Sequence, residues 1–201
     1  MSELATFMTL GFRHIVGIDA IDHILFLVAL AAIYRVRDLR QLIWVITAFT
    51  IGHSITLALA VTGLVTLPTA LIEFLIPVTI VVTGVENMLV RVWDPGSWRI
   101  RSRPLFAGLF GLIHGAGFAN YLKALFVEQI AVPLLGFNVG IEAGQLVVLL
   151  GIGVGFALVD RLLAALRDST ATWDVHRVRV LAVSLLVVAL GSKWAFERLP
   201  T

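Results

Sequence analysis

The sequence predicts an all-α fold, namely a polytopic transmembrane bundle of about six helices with both termini outside the cytoplasm. Three observations support this prediction. Only 14% of the 201 residues are charged and 59% are hydrophobic, whereas a soluble domain carries about 25% charged residues. Apolar stretches of about 20 residues, the length that crosses a bilayer, follow one another along the chain. The arginines concentrate in alternate breaks between these stretches.

The first half of the chain holds three of the expected spans. Residues 1–16 are short and mildly amphipathic, which predicts an interfacial segment ahead of the first span. The first span covers 17–34 and ends at an arginine-rich break. The second covers 41–63, and the third covers 69–91, directly after Pro68. The polar breaks mark where the chain returns to the membrane surface.

The second half holds the other three spans, over 104–127, 133–160 and 177–197. The first two of these open with a proline, which suits the first turn of a helix because its missing N–H would have no partner there. No convincing internal repeat is evident. The whole chain, 1–201, is therefore expected to form a single transmembrane domain.

The distribution of basic residues predicts the orientation of the spans. Breaks at 35–40, 91–103 and 161–179 hold most of the arginines, whereas those at 66–69 and 128–133 hold no lysine or arginine. Because cytoplasmic loops are enriched in lysine and arginine, the three arginine-rich breaks are expected in the cytoplasm. The arginines belong to loops and do not form a basic patch with interleaved aromatic residues, so nucleic acid is not an expected partner, whereas the lipid bilayer is.

Ionisable residues inside the expected spans are the candidates for function. A charge at mid-bilayer costs about 2.5–3.5 kcal/mol on insertion scales, so such a residue usually faces a partner or a cavity. Beyond the arginines at its start, the last span has none before Lys193, which favours a scaffold role for it. The other spans carry Asp19, Asp22, His23, His53, Glu73, Glu86, His114 and Glu142.

Three histidines from three spans are expected at one depth. Counted at about 1.5 Å per residue from the cytoplasmic ends, His23, His53 and His114 lie roughly 15–18 Å deep, in a core about 30 Å thick. The chain has no cysteine, so thiolate ligands are excluded. Imidazoles with carboxylates are ligands of borderline divalent metals such as Ni, Co and Zn. The pattern predicts a divalent-metal site.

Carboxylates and amides are expected around these histidines. Asp22 lies just outward of them, Glu142 nearer the outside and Glu86 nearer the cytoplasm. Supporting polar side chains are expected from Asn87, Asn138, Gln145 and Ser54. Structural interpretations also apply, since histidines can hydrogen-bond between helices, Asp22 can stabilise a helix start, and Glu86 can pair with an arginine.

Three functions fit such a site. A weakly held, exchangeable ion fits a permease or a metal-binding accessory protein. A tightly held zinc on His23, His53 and His114 fits an intramembrane hydrolase, with Asp22 or Glu142 as general base and Ser54 near an oxyanion. Histidine and glutamate without metal fit a proton relay. The sequence has no nucleotide-binding loop, so transport would depend on a gradient or a partner.

Six short segments carry motifs that occur together in one protein family. They are GFRHI at 11–15, DHILFL at 22–27, FTIGHSITL at 49–57, VEN at 85–87, FGLIHGAGFA at 110–119 and FNVGIEAGQ at 137–145. In this order they resemble the signature of the HupE/UreJ family of bacterial membrane proteins, and within it the second, less characterised branch.

The resemblance implies a multi-pass protein of the bacterial cytoplasmic (inner) membrane, acting as a nickel- or cobalt-type permease or metal-binding accessory protein. The family's histidine and Asp-His element falls on His14, Asp22 and His23, and its His-Gly element falls on His114 and Gly115. His14 thereby joins the candidate metal ligands. The implied partner is the metal ion, and GxxxG pairs in the later spans leave a homo-oligomer open.

Overall fold

The computed structural model describes residues 2–17, 20–66, 68–90, 97–125, 130–167 and 172–200. Within these ranges the regular structure is helical, which confirms the all-α prediction. The helices are α1 (Glu3–Val16), α2 (Ile21–Ala31), a 3-10 turn (Val36–Asp38), α3 (Leu39–Val61), α4 (Thr69–Leu89), the single-turn α5 (Trp98–Arg101), α6 (Arg103–Leu125), α7 (Ala131–Ala165) and α8 (Val175–Glu197).

Four of the described helices, α3, α4, α7 and α8, are long and apolar enough to cross a membrane. The pair α1 and α2, bent by 69° relative to each other, passes the same test as one broken span. With 23 residues, α6 also has spanning length. These helices make the chain a multi-pass membrane protein.

The start of the chain differs from the expected pattern of an interfacial segment followed by a span over 17–34. Only 11 residues of that span form α2, about 16 Å of helix, which is too short to cross a bilayer. The preceding helix α1 ends at Gly17, whose extended backbone departs from helical geometry while its N–H still bonds the carbonyl of Arg13. Instead of standing apart, α1 packs along α7. Asp19 lies outside the described residues.

Two helix pairs cross with their backbones in direct contact. In the pair α3 and α6, a Cβ added to Gly52 would overlap the carbonyl oxygen of Gly108, and one added to Gly111 would overlap that of Phe49. Gly115 has the same relation to the carbonyl of His53. Because the contacts advance in the same direction along both helices, α3 and α6 run parallel.

The pair α1 and α7 repeats this crossing. Gly11 lies against the carbonyl oxygen of Phe137 and Gly140 against that of Met8, in the geometry of the first pair. These helices also run parallel. The two crossings therefore share one local packing geometry. This similarity rests on a few glycines in helices that are not adjacent along the chain, so the sequence alone does not reveal it.

The short helix α2 lies inside the bundle, where it contacts α1, α4, α7 and α8. Phe26 and Ala29 on α2 are fully buried. By contrast, the second half of α7 presents exposed leucines, among them Leu150 and Leu162, as expected for a lipid-facing surface. The architecture thus surrounds α2, and the residues at its start, with longer helices.

Arginines from α8 bind the carbonyl ends of other helices. Arg177 donates to the carbonyl oxygens of Met88 (2.7 Å) and Val90 (2.6 Å) at the end of α4. Arg179, which is buried, donates to Ala32 (3.0 Å) beyond α2 and to the carboxylate of Asp160 (2.7 Å). Cations at helix C-termini complement the helix dipole. These contacts tie α8 to α2, α4 and α7 at one end of the bundle.

Candidate metal centre

Three histidines from three helices converge beside the break between α1 and α2. His14 comes from the last turn of α1, His23 from the first turn of α2, and His53 from the middle of α3. Each offers one ring nitrogen, and these atoms lie within 4.8 Å of one another. His53 is fully buried and His23 is nearly so. Such a group can hold a metal ion.

His114 of α6 lies next to this group, with its ring centroid 5.1 Å from that of His23. The centroid of His14 lies 4.8 Å from that of His23 and 6.2 Å from that of His53, and the His23 and His53 centroids are 6.3 Å apart. Two imidazoles that share one ion at bonds of about 2.0–2.1 Å place their centroids on the order of 5–6 Å apart. The ring spacing therefore suits one ion.

Asp22 orients His23. The Nδ1 atom of His23 lies 3.1 Å from Oδ1 of Asp22, and since a carboxylate only accepts, Nδ1 carries the proton and donates. The lone pair of His23 is then on Nε2, which is buried and has no hydrogen-bond partner among the described residues. A carboxylate that fixes the tautomer of a ligating histidine is a common feature of metal sites. The geometry thus makes Asp22 a supporting residue that holds the ligand His23 in place.

The other histidines also present nitrogens that lack hydrogen-bond partners in the described part of the chain. They are Nε2 of His14, both ring nitrogens of His53, and Nδ1 of His114. Buried polar atoms are normally hydrogen-bonded because an unmade bond costs free energy, so each exception needs an explanation. A cation held by His14, His23 and His53 would satisfy one nitrogen on each of these three rings.

An open cavity of about 700 Å³ leads to the cluster from one end of the bundle. His14, His23 and His114 lie on its wall, whereas His53 is fully buried. The wall also carries four charged side chains, which are Arg13, Asp22, Glu73 and Arg198. Arg198 lies 4.0 Å from the second oxygen of Asp22. Solvent and ions can therefore reach the histidines from this end.

Two of the polar residues expected from α7, Glu142 and Gln145, hydrogen-bond to α3. Glu142 accepts a hydrogen bond from Thr47 (2.9 Å), and Gln145 accepts one from Thr50 (2.8 Å). Ser54 donates to the backbone carbonyl of Thr50 (2.6 Å). Together they form a polar seam between α3 and α7 beside the centre. In another part of α7, Asn138 has a buried side-chain oxygen that has no partner within the described ranges.

Glu86 and Asn87 lie at the opposite end of the bundle, beside the buried Arg103. Arg103 donates to the side-chain oxygen of Asn87 (2.7 Å), and Asn87 donates to the carbonyl of Ala29 (2.7 Å). Glu86 is 3.9 Å from Arg103 and lines a second cavity of about 360 Å³. Burial raises the pKa of Tyr34, whose ring packs against the guanidinium. Glu86 thus forms the ion pair with an arginine that the structural interpretation of the sequence allowed.

We expect Asn87→Leu to destabilise the protein by about 1–3 kcal/mol, because the buried Arg103 and the Ala29 carbonyl each lose a hydrogen bond. Thermal unfolding in detergent measures the effect. Ser184→Ala is the matched control, since the Ser184 hydroxyl is buried without a partner in the described structure and its loss should be neutral. Equal melting temperatures for Asn87→Leu and the control would contradict the assignment.

A layer of aromatic side chains separates the two cavities. The ring centroid of Phe26 lies 5.0 Å from that of Phe49 and 6.2 Å from that of Phe110, which itself lines the second cavity. On the other side, Phe26 and Phe49 contact His114, with ring centroids 4.9 and 5.2 Å apart. Phe26 and Phe49 are buried, so the layer closes the space below the histidines.

Sequence reasoning did not assign Thr79 or Arg198 to this site. Thr79 belongs to a polar stripe on α4, and its hydroxyl lies 3.0 Å from Nε2 of His114. Helical spacing places Thr79 and Thr83 on one face of α4 but says nothing about which neighbour that face meets. Arg198 is far from Asp22 along the chain, so the sequence does not indicate their contact.

A family model described as HupE / UreJ protein matches residues 1–198, almost the whole chain. No curated protein and no solved structure was found to match.

Proposed function

The chain belongs to the HupE/UreJ family, and from this premise we propose that it is a permease, or a metal-binding accessory protein, for a divalent transition-metal ion of the nickel or cobalt type. Its site would lie in the bacterial cytoplasmic membrane. One observation carries the proposal: buried imidazole nitrogens without partners in the described structure converge from α1, α2, α3 and α6 at the base of an open cavity. Imidazole nitrogens suit Ni, Co and Zn better than Mg or Ca.

Six membrane crossings follow if α1 and α2 form the first one together and α6 forms the fourth. In this topology α1 runs inward beside the parallel α7, and the chain changes direction near mid-membrane, between His14 and His23. Transporters commonly place their ion sites at such breaks in spanning helices. The arginine-rich end, with Arg103, Arg177 and Arg179, would face the cytoplasm, and both termini would lie outside.

The ion would enter from the outer side through the larger cavity. On its wall the charges of Asp22 and Glu73 balance those of Arg13 and Arg198, and the histidines at its base supply the ligands. The aromatic layer of Phe26, Phe49 and Phe110 closes the route inward, so this conformation faces outward. Release would require the layer to open towards the second cavity, where Glu86 is the acidic group.

Flux through reconstituted vesicles tests this function. With a metal-sensitive dye inside, we expect Ni²⁺ or Co²⁺ to enter vesicles that contain the wild-type protein. Glu86→Gln should slow entry several-fold while leaving binding at the histidines unchanged, because Glu86 lies beyond the aromatic layer. Glu142→Gln is the control, since glutamine can still accept the hydrogen bond from Thr47. Binding without any flux would favour the accessory protein over the permease.

The zinc-hydrolase alternative needs groups that the structure engages elsewhere. Ser54 donates its proton to a backbone carbonyl, Glu142 is bonded to Thr47, and Asp22 is bonded to His23. Metal exchange distinguishes the two functions, because a catalytic zinc stays bound through dialysis whereas a transported ion must leave. One zinc per chain that resists exchange would reject the permease.

A homo-oligomer would have room on α7. A side chain at Gly151 or Gly155 would meet open space in this chain, so a second helix could approach there. Native mass spectrometry of the wild type beside Gly151→Leu tests this point: a dimer lost on substitution supports a contact between copies, and an unchanged monomer leaves this surface to lipid.

A further inference from the structure

Thr79 of α4 contacts His114 at the metal centre. It is buried, with 3% of its surface exposed. Its hydroxyl oxygen lies 2.7 Å from the carbonyl oxygen of Ile76 and 3.0 Å from Nε2 of His114. Two hydrogen bonds thus meet at one hydroxyl group, and only one proton belongs to it.

The direction of both bonds follows from this count. A carbonyl oxygen can only accept, so the hydroxyl proton of Thr79 goes to Ile76. The hydroxyl must then accept from His114, which places the ring proton on Nε2. In the neutral imidazole the lone pair is therefore on Nδ1, the nitrogen that is buried without a hydrogen-bond partner in the described structure. The interhelical hydrogen bond to Thr79 therefore accounts for only one of the two ring nitrogens of His114.

We propose that Thr79 is a positioning residue that fixes the tautomer and orientation of His114, so that Nδ1 serves as a fourth imidazole ligand beside His14, His23 and His53. The inference rests on the proposed metal function and adds a fourth nitrogen to its set of donor atoms. Asp22 fixes His23 in the opposite tautomer, through Nδ1, so two different supports present two different nitrogens to one ion. A fourth nitrogen donor favours Ni, Co or Zn over the oxygen-seeking Mg and Ca.

Three variants of α4 test the inference by titration of purified protein with Ni²⁺. Thr79→Val keeps the shape but removes the hydroxyl, and should weaken Ni²⁺ binding about 10–100-fold, as loss of such supporting bonds does. Thr79→Ser keeps the hydroxyl and should bind within about threefold of the wild type. Thr83→Val is the matched control: Thr83 is equally buried, but its hydroxyl bonds the Thr79 backbone carbonyl (2.8 Å), and its affinity should not change.

A spectroscopic measurement separates positioning from general damage. Nitrogen-15 NMR of histidine-labelled, metal-free protein should show His114 with its proton on Nε2, and Thr79→Val should give a mixture of tautomers. Coordination of ¹¹³Cd should appear as coupling to Nδ1 of His114.

Coupling to Nε2, or equal Ni²⁺ affinities for Thr79→Val and Thr79→Ser, would overturn the inference. Failure of the proposed function itself looks different, because then even His53→Ala would bind Ni²⁺ as the wild type does. Loss of binding in His53→Ala with unchanged binding in Thr79→Val rejects only the role of Thr79.

Discussion

His53→Ala is expected to bind Ni²⁺ or Co²⁺ at least about 100-fold more weakly than the wild-type protein, more than the loss of a supporting residue costs. His53 is fully buried, and both of its ring nitrogens lack hydrogen-bond partners among the described residues. It lies on α3, opposite the pair formed by His14 and His23. Its removal takes away one of three converging ligands and leaves the others too few to hold an ion strongly.

Isothermal titration in detergent measures this change. His176→Ala is the control, since His176 lies at the start of α8, at the arginine-rich end, and its loss should leave affinity unchanged. The melting temperature of each variant without metal shows whether the fold survives. A correctly folded His53→Ala protein with wild-type affinity would exclude His53 as a ligand.

Gly52→Ala is expected to destabilise the protein by about 3 kcal/mol or more, at or above the usual range for overpacking. The added Cβ would overlap the carbonyl oxygen of Gly108, which belongs to the α6 backbone and cannot rotate away. The two helices would have to separate. Since His53 and His114 lie on these helices, metal binding should weaken together with stability.

The equivalent position in the repeated crossing, Gly11, should behave in the same way. Gly153→Ala is the control, because a Cβ there meets nothing within 4 Å and alanine favours helix by about 1 kcal/mol. Thermal unfolding and yield in detergent compare the variants. Gly52→Ala with the stability of Gly153→Ala would show that the crossing is looser than the structure describes.

Helix type and most helix positions were predictable because lipid exposure leaves long apolar runs, which end at arginines and prolines. The expected spans over 41–63, 69–91 and 177–197 agree with α3, α4 and α8. The first span was wrong in detail. Its expected start at residue 17 agrees with the end of α1 at Val16, but hydropathy alone does not show that the second helix covers only Ile21–Ala31 or that α1 packs along α7.

The site was predictable in its chemistry but not in its arrangement. Depth counting brought His23, His53 and His114 to one level, but it could not give the rotation of each helix. The structure groups His14 with His23 and His53 and places His114 alongside. His14 entered the prediction only through family resemblance, because its segment was expected at the membrane surface. Glu142 was expected near the ion; its carboxylate accepts a hydrogen bond from Thr47, a partner that helical spacing does not identify.

X-ray absorption spectroscopy of the nickel- or cobalt-loaded wild-type protein tests the central claim most directly. The histidine centre predicts three to four imidazole ligands at about 2.0–2.1 Å, visible as outer-shell scattering from the rings, with that scattering reduced in His53→Ala. A shell of oxygen ligands without imidazole scattering, unchanged in His53→Ala, would contradict it.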